Sequence, residues 1–438
     1  MRQQERREWL ALAGLLAGLV LLAGPVLADD IDAAAPAPTA TTTATTTAAA
    51  EPAPQTEPAP VEKPKPRLDI YGFAMLDMGY QFGQNHPDWY DVIRPTKLPA
   101  YENEFGEDGH TYAGVRQSRL GFKGFIPSSL GEIKTIFEFE LFGTGVDAGQ
   151  TTFRLRHAYG ELGQVGAGQY WSPFMDIDVF PNSIEYWGPN GMVFFRNVQI
   201  RWMPIKGDSF LTIALERPGA SGDAGPYGER IEIQNVKGRF PLPDLSAEYR
   251  SAHDWGYVEV AGILRKMVLD DVLDDEYDLS ESMLGWGVNV SSNIKTGSGV
   301  LRLQAVYGEG IQNYMNDAPV DVAFENTFDD PTSPLTAVPL PMSSFVVFYD
   351  HNWSDKWSST VGYSRLDIDN SDGQDPSDFK TGQYALVNLL HYPTSGVMMG
   401  GEIQWGERQN FSDGWSVDDL RIQFSFKYNF SASIGGNS

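Results

Sequence analysis

The chain has 438 residues with 58 acidic and 32 basic side chains, and its formal charge of −26 argues against a nucleic-acid partner. Cysteine is absent, which excludes disulfide staples and a lipid-modified N-terminal cysteine. Beyond the N-terminal region no apolar run reaches helical spanning length, so any insertion into a membrane has to be made by strands.

Arg2, Arg6 and Arg7 precede an apolar run from Leu10 to Ala28, which ends in Val26-Leu27-Ala28 and is followed by Asp29-Asp30. This pattern predicts a signal peptide over residues 1–28, cleaved before Asp29, and export of everything downstream. A retained anchor helix is the rival reading, and Pro25 together with the acids directly after the run argues against it. Residues 29–66 are mostly Ala, Pro and Thr, a composition too poor in apolar surface to offset ordering, so a disordered periplasmic linker is expected.

From Arg67 the pattern changes to period two. Sixteen strands are predicted, the first five at 68–82, 112–126, 132–142, 151–162 and 165–172. The next six fall at 196–204, 210–216, 245–251, 256–265, 284–293 and 300–308. The last five fall at 344–352, 356–366, 382–392, 397–408 and 419–430. In the last of them Leu420, Ile422, Phe424, Phe426, Tyr428 and Phe430 alternate with Arg421, Gln423, Ser425, Lys427 and Asn429, one face suited to lipid and the other to water. Connections are short after even-numbered strands and mostly long after odd-numbered ones, the long ones at 83–110, 217–244, 267–283 and 310–341. The expected fold is therefore all-β, a transmembrane antiparallel barrel of sixteen strands over residues 67–430, with a C-terminal tail at 431–438.

Acids gather in two of the connections, Asp270 to Glu281 and Asp367 to Asp378. Such runs are ordinarily solvated loops, with bridging of divalent cations to lipopolysaccharide as the functional option. The second run resembles a calcium loop in spacing, but Gly373 falls one place late and no terminal Glu follows, so no metal site is assigned.

Strand parity then selects the inward face. If Phe153, Leu155 and Tyr159 face lipid, Arg154 and Arg156 face the lumen; by the same rule Gln117, Arg119 and Lys123, and Asn197, Gln199 and Arg201, also face inward. The opposite assignment would put arginines in hydrocarbon at about 2–4 kcal/mol each. Arg119, Arg154, Arg156 and Arg201 are thus expected to form a positive lumen wall, while Arg116 has the other parity and is either at the outer rim or reoriented by a bulge. The connection at 173–195 carries Asp176, Asp178, Glu185, Trp187 and a Gly188-Pro189-Asn190-Gly191 turn. It is expected to fold inward as a constriction loop, with its carboxylates across from the arginines.

The stretches Val115-Arg116-Gln117-Ser118-Arg119-Leu120-Gly121, Arg154-Leu155-Arg156-His157-Ala158-Tyr159-Gly160, Gly168-Gln169-Tyr170-Trp171-Ser172 and Tyr307-Gly308-Glu309-Gly310-Ile311 resemble the DcaP-like trimeric outer-membrane porins. The likeness covers about residues 67 to 430. The resemblance implies a sixteen-stranded homotrimeric channel in the outer membrane that prefers small anionic solutes such as dicarboxylates, with Arg119, Arg154 and Arg156 lining the pore. The chain departs from that pattern twice: residues 29–66 lack the heptads of an N-terminal coiled coil, and Phe430 is not the last residue.

Two other classes compete with a channel. An exported glycan hydrolase would need paired carboxylates, but the acids cluster in loops, and no Gly-x-Ser-x-Gly, phosphate loop or His-Glu-x-x-His occurs. The six histidines, His86, His110, His157, His253, His351 and His391, are scattered without metal spacing, so neither an enzyme nor a cofactor is expected. A non-conducting structural or adhesive barrel acting through its acidic loops is the other alternative, and the lumen arginines favour transport over it.

Overall fold

The computed structural model describes residues 65–273 and 275–436. The expected signal peptide and all but the last two residues of the expected linker lie outside the described residues. Sixteen antiparallel strands form the wall. They are β1 Arg67–Gln81, β2 Arg119–Ser128, β3 Gly131–Phe142, β4 Thr151–Leu162, β5 Val165–Trp171, β6 Arg196–Ile205, β7 Phe210–Glu216 and β8 Asp244–His253. The second half is β9 Gly256–Asp271, β10 Glu281–Thr296, β11 Gly299–Glu309, β12 Pro341–Ser354, β13 Trp357–Ile368, β14 Phe379–Thr394, β15 Val397–Asn410 and β16 Ser416–Gly435. Each pairs with the next, and β16 closes on β1 from Arg67↔Gly435 to Gln81↔Arg421. The strand count and the alternation of turn lengths are those the sequence predicts. Tight turns such as Gly163-Gln164 join even strands to the next, and there Gly163 adopts φ +59°, a conformation costly for other residues.

The two faces differ as lipid and water require. Phe424 is 52% exposed on the outside of β16, whereas Arg421, Gln423 and Ser425 are 0% exposed on the inside. A soluble protein would bury the phenylalanine and expose the arginine; the reverse arrangement places each strand between hydrocarbon and a polar interior.

Several boundaries differ from expectation. The strand predicted at 112–126 is interrupted, because His110–Gly114 pairs with the outer end of β1 while residues 115–118 leave the ladder before β2 begins. Ser118 fills the gap, its hydroxyl accepting from the Met75 amide at 3.0 Å. The long loop expected at 267–283 is shortened at both ends, since β9 reaches Asp271 and β10 starts at Glu281, with Val236–Arg239 paired to the end of β9. Residues 431–435, expected as part of a tail, continue β16 and pair with Arg67–Tyr71. The inner end of β1 needs a second partner for its backbone groups, and these residues supply it. Outside the membrane wall, Gly222–Asp223, Val322–Asn326 and Leu335–Pro339 make a small separate sheet.

Candidate functional site

The third outer loop, residues 172–195 between β5 and β6, folds into the lumen as expected. Phe174, Met175, Val179, Met192 and Val193 are buried against inward side chains of β9 to β14, including Ala261, Ile263, Val346 and Phe348. Its tip reaches the other wall, where the Ile184 carbonyl accepts from the Gln117 and Gln423 side chains at 2.8 and 3.0 Å, and Glu402 accepts from the Ile184 amide at 3.1 Å. Gly188 has φ +80°, and a Cβ there would sit 2.6 Å from the Phe180 ring, so the turn tolerates only glycine.

Asp176 and Asp178 do not face the arginines of β2 and β4, which corrects the expectation of a transverse field for that pair, whereas Glu185 lines the same cavity as Arg119 and Arg156. Asp176 accepts from Arg250 at 2.8 Å, Tyr257 at 2.7 Å and Ser291 at 2.6 Å. Asp178 takes the other arm of Arg250 at 2.5 Å, and the same guanidinium reaches Glu259 at 2.7 Å. Glu185 accepts from the Ile93 amide at 3.2 Å and from Tyr384 at 3.3 Å, with Arg421 at 3.6 Å. Burial pushes the carboxyl of Asp176 up, and that of Glu185 up to about 7 despite the opposing pull of Arg421. A buried carboxylate without partners is costly, so each acid is held by donors of the wall its loop segment packs on. Trp187 donates from its indole to the Asn316 carbonyl at 2.8 Å and stacks under Arg94 at 4.1 Å.

Opposite the loop, β2 to β4 present a ladder of charges. Arg119 on β2 and Arg154 and Arg156 on β4 flank Glu138 and Glu140 on β3. Arg156 binds both acids at 2.6 Å. Arg119 lies 3.8 Å from Glu138 and 3.5 Å from Glu140, Arg154 lies 3.5 Å from Glu140, and Arg196 at the start of β6 lies 3.7 Å from it. Four guanidiniums meet two carboxylates, leaving a surplus of two positive charges. The side chains of Arg119 and Arg154 are 25% and 29% exposed but that of Arg156 only 5%, so Arg156 braces the ladder while the other two reach water. Tyr186 crosses from the loop to hydrogen-bond Glu140 and stacks on Phe142 at 3.9 Å.

Arg156 itself is a bulge, because Glu138 pairs with His157 and Phe139 with Leu155, leaving it without an opposite residue. The bulge reverses parity, so Tyr159, expected to face lipid, lies inside, stacked on Tyr170 at 4.6 Å with Arg201 over its ring. Arg201 faces the interior as expected, but it is 7% exposed, held by Gln199 at 2.7 Å and lodged against Tyr170, away from the ladder's acids. Lys123 is exposed near the inner end of β2, 4.9 Å over Tyr71. Arg116 is buried in the break before β2, bound to Asp91 at 2.8 Å.

Sequence reasoning missed Glu138 and Glu140, although they alternate with Phe137, Phe139 and Leu141, and the parity rule applied to the arginines finds them equally well. Arg196, Arg94 and Tyr186 carried no such signal, since each lies at a strand end or in a loop. Two compartments of about 410 and 420 Å³ flank the constriction. Arg94, Arg154 and Arg196 border the outer one, Arg119, Arg156 and Lys427 the inner one, and Tyr186 and Phe194 border both.

The model of the DcaP outer membrane protein family matches residues 55–430. Among solved structures, the chain is similar to the outer membrane channel DcaP of Acinetobacter baumannii, with a TM-score of 0.69 and 19% identity over 83% of this chain and 97% of that one. It is also similar to an anion-selective porin from Comamonas acidovorans, with a TM-score of 0.52 and 10% identity over 83% of this chain and 99% of the other. At these identities the likeness shows the fold. No curated protein matches.

Proposed function

Since the chain belongs to the DcaP outer membrane protein family and is an outer-membrane channel, we propose that it passes small hydrophilic anions, dicarboxylates among them, by passive diffusion along its arginine ladder. The observation that carries this reading is the surplus of two positive charges where Arg119, Arg154, Arg156 and Arg196 meet Glu138 and Glu140 beside the inward loop. A local surplus governs the constriction better than the net charge of −26, because loop acids more than a Debye length away, about 8–10 Å at physiological salt, are largely screened. Basic groups border both compartments, so a solute with two carboxylates can engage the next cation before it leaves the last. A homotrimer in contact with lipopolysaccharide, exported by a cleaved signal peptide, completes the proposal.

Purified protein in a planar bilayer under a salt gradient is expected to show discrete conductance steps and an anion-biased reversal potential, with added dicarboxylate interrupting the chloride current. Folded protein that does not conduct would overturn the channel's proposed role and favour the structural barrel. A cation-biased reversal potential would overturn the anion preference alone.

A further inference from the structure

The sixth outer loop, residues 310–340 between β11 and β12, also turns into the barrel. Met315 bridges Val193 in antiparallel fashion, the Phe194 amide donates to the Tyr314 carbonyl at 3.0 Å, and the Asn316 amide donates to Met192 at 2.8 Å. The Asn316 side chain donates to the carbonyls of Trp187 at 2.7 Å and Pro189 at 2.9 Å. The next residue, Asp317, is fully buried and takes its partners from the first outer loop, residues 82–118. Its carboxylate accepts from Arg94 Nε at 2.9 Å, from the Thr96 amide at 2.9 Å and from the Thr96 hydroxyl at 2.5 Å. The Arg94 guanidinium lies over the rings of both Trp89 at 4.2 Å and Trp187 at 4.1 Å, which meet edge to face at 4.8 Å. Four residues on, Asp321 is bound by Arg265 of the wall at 2.8 Å and by the Ser221 amide at 2.9 Å. One short segment, with Pro319 stiffening it, thus clamps three other outer loops and the wall.

We propose that the sixth outer loop is a second constriction element and that Asp317 is its positioning residue, holding Arg94 across the outer compartment so that this clamp sets the size limit for solutes. The inference rests on the channel reading above. Arg94, Asn313, Met315 and Asn316 border the outer compartment, so movement of the clamp changes the width of the path. The loop is held by buried charge-assisted bonds, which fix one geometry where solvated loops sample many. Because Arg94 and Asp317 neutralise one another, deleting either exposes the charge of the other.

The test compares Asp317→Ala, Arg94→Ala, the double variant and Asp317→Asn, each first checked for a folded, heat-modifiable barrel. Both single variants are expected to raise single-channel conductance about 1.5-fold or more and to admit larger neutral sugars in liposome swelling. Their selectivity should shift in opposite directions, towards anions in Asp317→Ala and away from them in Arg94→Ala, with the double variant back at the wild-type ratio. Asp317→Asn keeps an acceptor oxygen and should restore the sugar limit in part, which a general loss of structure would not do. Exchange of the Thr96 amide should quicken by about ten- to hundredfold in Asp317→Ala, independently of any current. Folded Asp317→Ala with wild-type conductance, sugar limit and Thr96 exchange would overturn the inference. A silent wild-type protein would instead refute the channel reading on which it depends.

Discussion

Replacing Arg119 and Arg154 together by Gln should abolish anion preference without collapsing the constriction. A unit charge about 7 Å from an ion's path in water is worth about 0.6 kcal/mol, and screening at 0.1 M salt roughly halves that. The ladder's surplus of two acts with opposite sign on anion and cation, so it separates them by about 1.2 kcal/mol, a permeability ratio of about sevenfold. Arg119 and Arg154 are the two rungs that reach water and sit 3.5–3.8 Å from the acids, so removing them cancels the surplus with modest structural cost. Arg156 is left in place because its two 2.6 Å contacts satisfy Glu138 and Glu140. The reversal potential under a salt gradient should fall close to zero in Arg119→Gln/Arg154→Gln. Glu140→Gln should move it the other way, by about threefold in the ratio. A folded, conducting double variant that keeps the wild-type reversal potential would refute the reasoning and move selectivity to the vestibules.

Arg250→Ala removes the cation shared by Asp176, Asp178 and Glu259, and stranding two of these acids in the interior should cost about 3–5 kcal/mol. A urea midpoint equal to that of the wild type would show that Arg250 does not pin the third outer loop. Glu185, pushed up to about 7 from 4.5, favours the folded state while protonated, and that contribution is lost as pH rises from about 4.5 through 7. It amounts to roughly 3 kcal/mol across the window, so stability should fall between pH 5 and 8, and Glu185→Gln should flatten that slope when unfolding is followed at both pH values. Ending the chain after Phe430 deletes one of the two strand partners of Arg67–Tyr71 and should lower the unfolding midpoint, at about 0.5–1.5 kcal/mol per lost hydrogen bond. Unaltered heat resistance of the shortened barrel would show that residues 431–435 are dispensable for closure.

The amino-acid sequence by itself determined the barrel, its sixteen strands and the sense of most faces. Lipid on one side and water on the other act on every strand residue separately, so the alternation of Leu420 to Phe430 with Arg421 to Asn429 is complete in the local pattern. The same rule reached Arg119, Arg154 and Arg156, and would have reached Glu138 and Glu140. It failed at Tyr159, because parity holds only while the ladder is unbroken and the bulge at Arg156 is not written in local hydrophobicity. It was equally silent on what the charges meet. Asp176 finds Arg250, Glu185 finds Arg421, and Arg94 finds Asp317, each partner far away in sequence and brought close only by closure of the wall. Only the tertiary structure decided which acids are spent on anchoring loops and which temper the arginines, because in a closed barrel a charge is paired by whatever stands across the lumen.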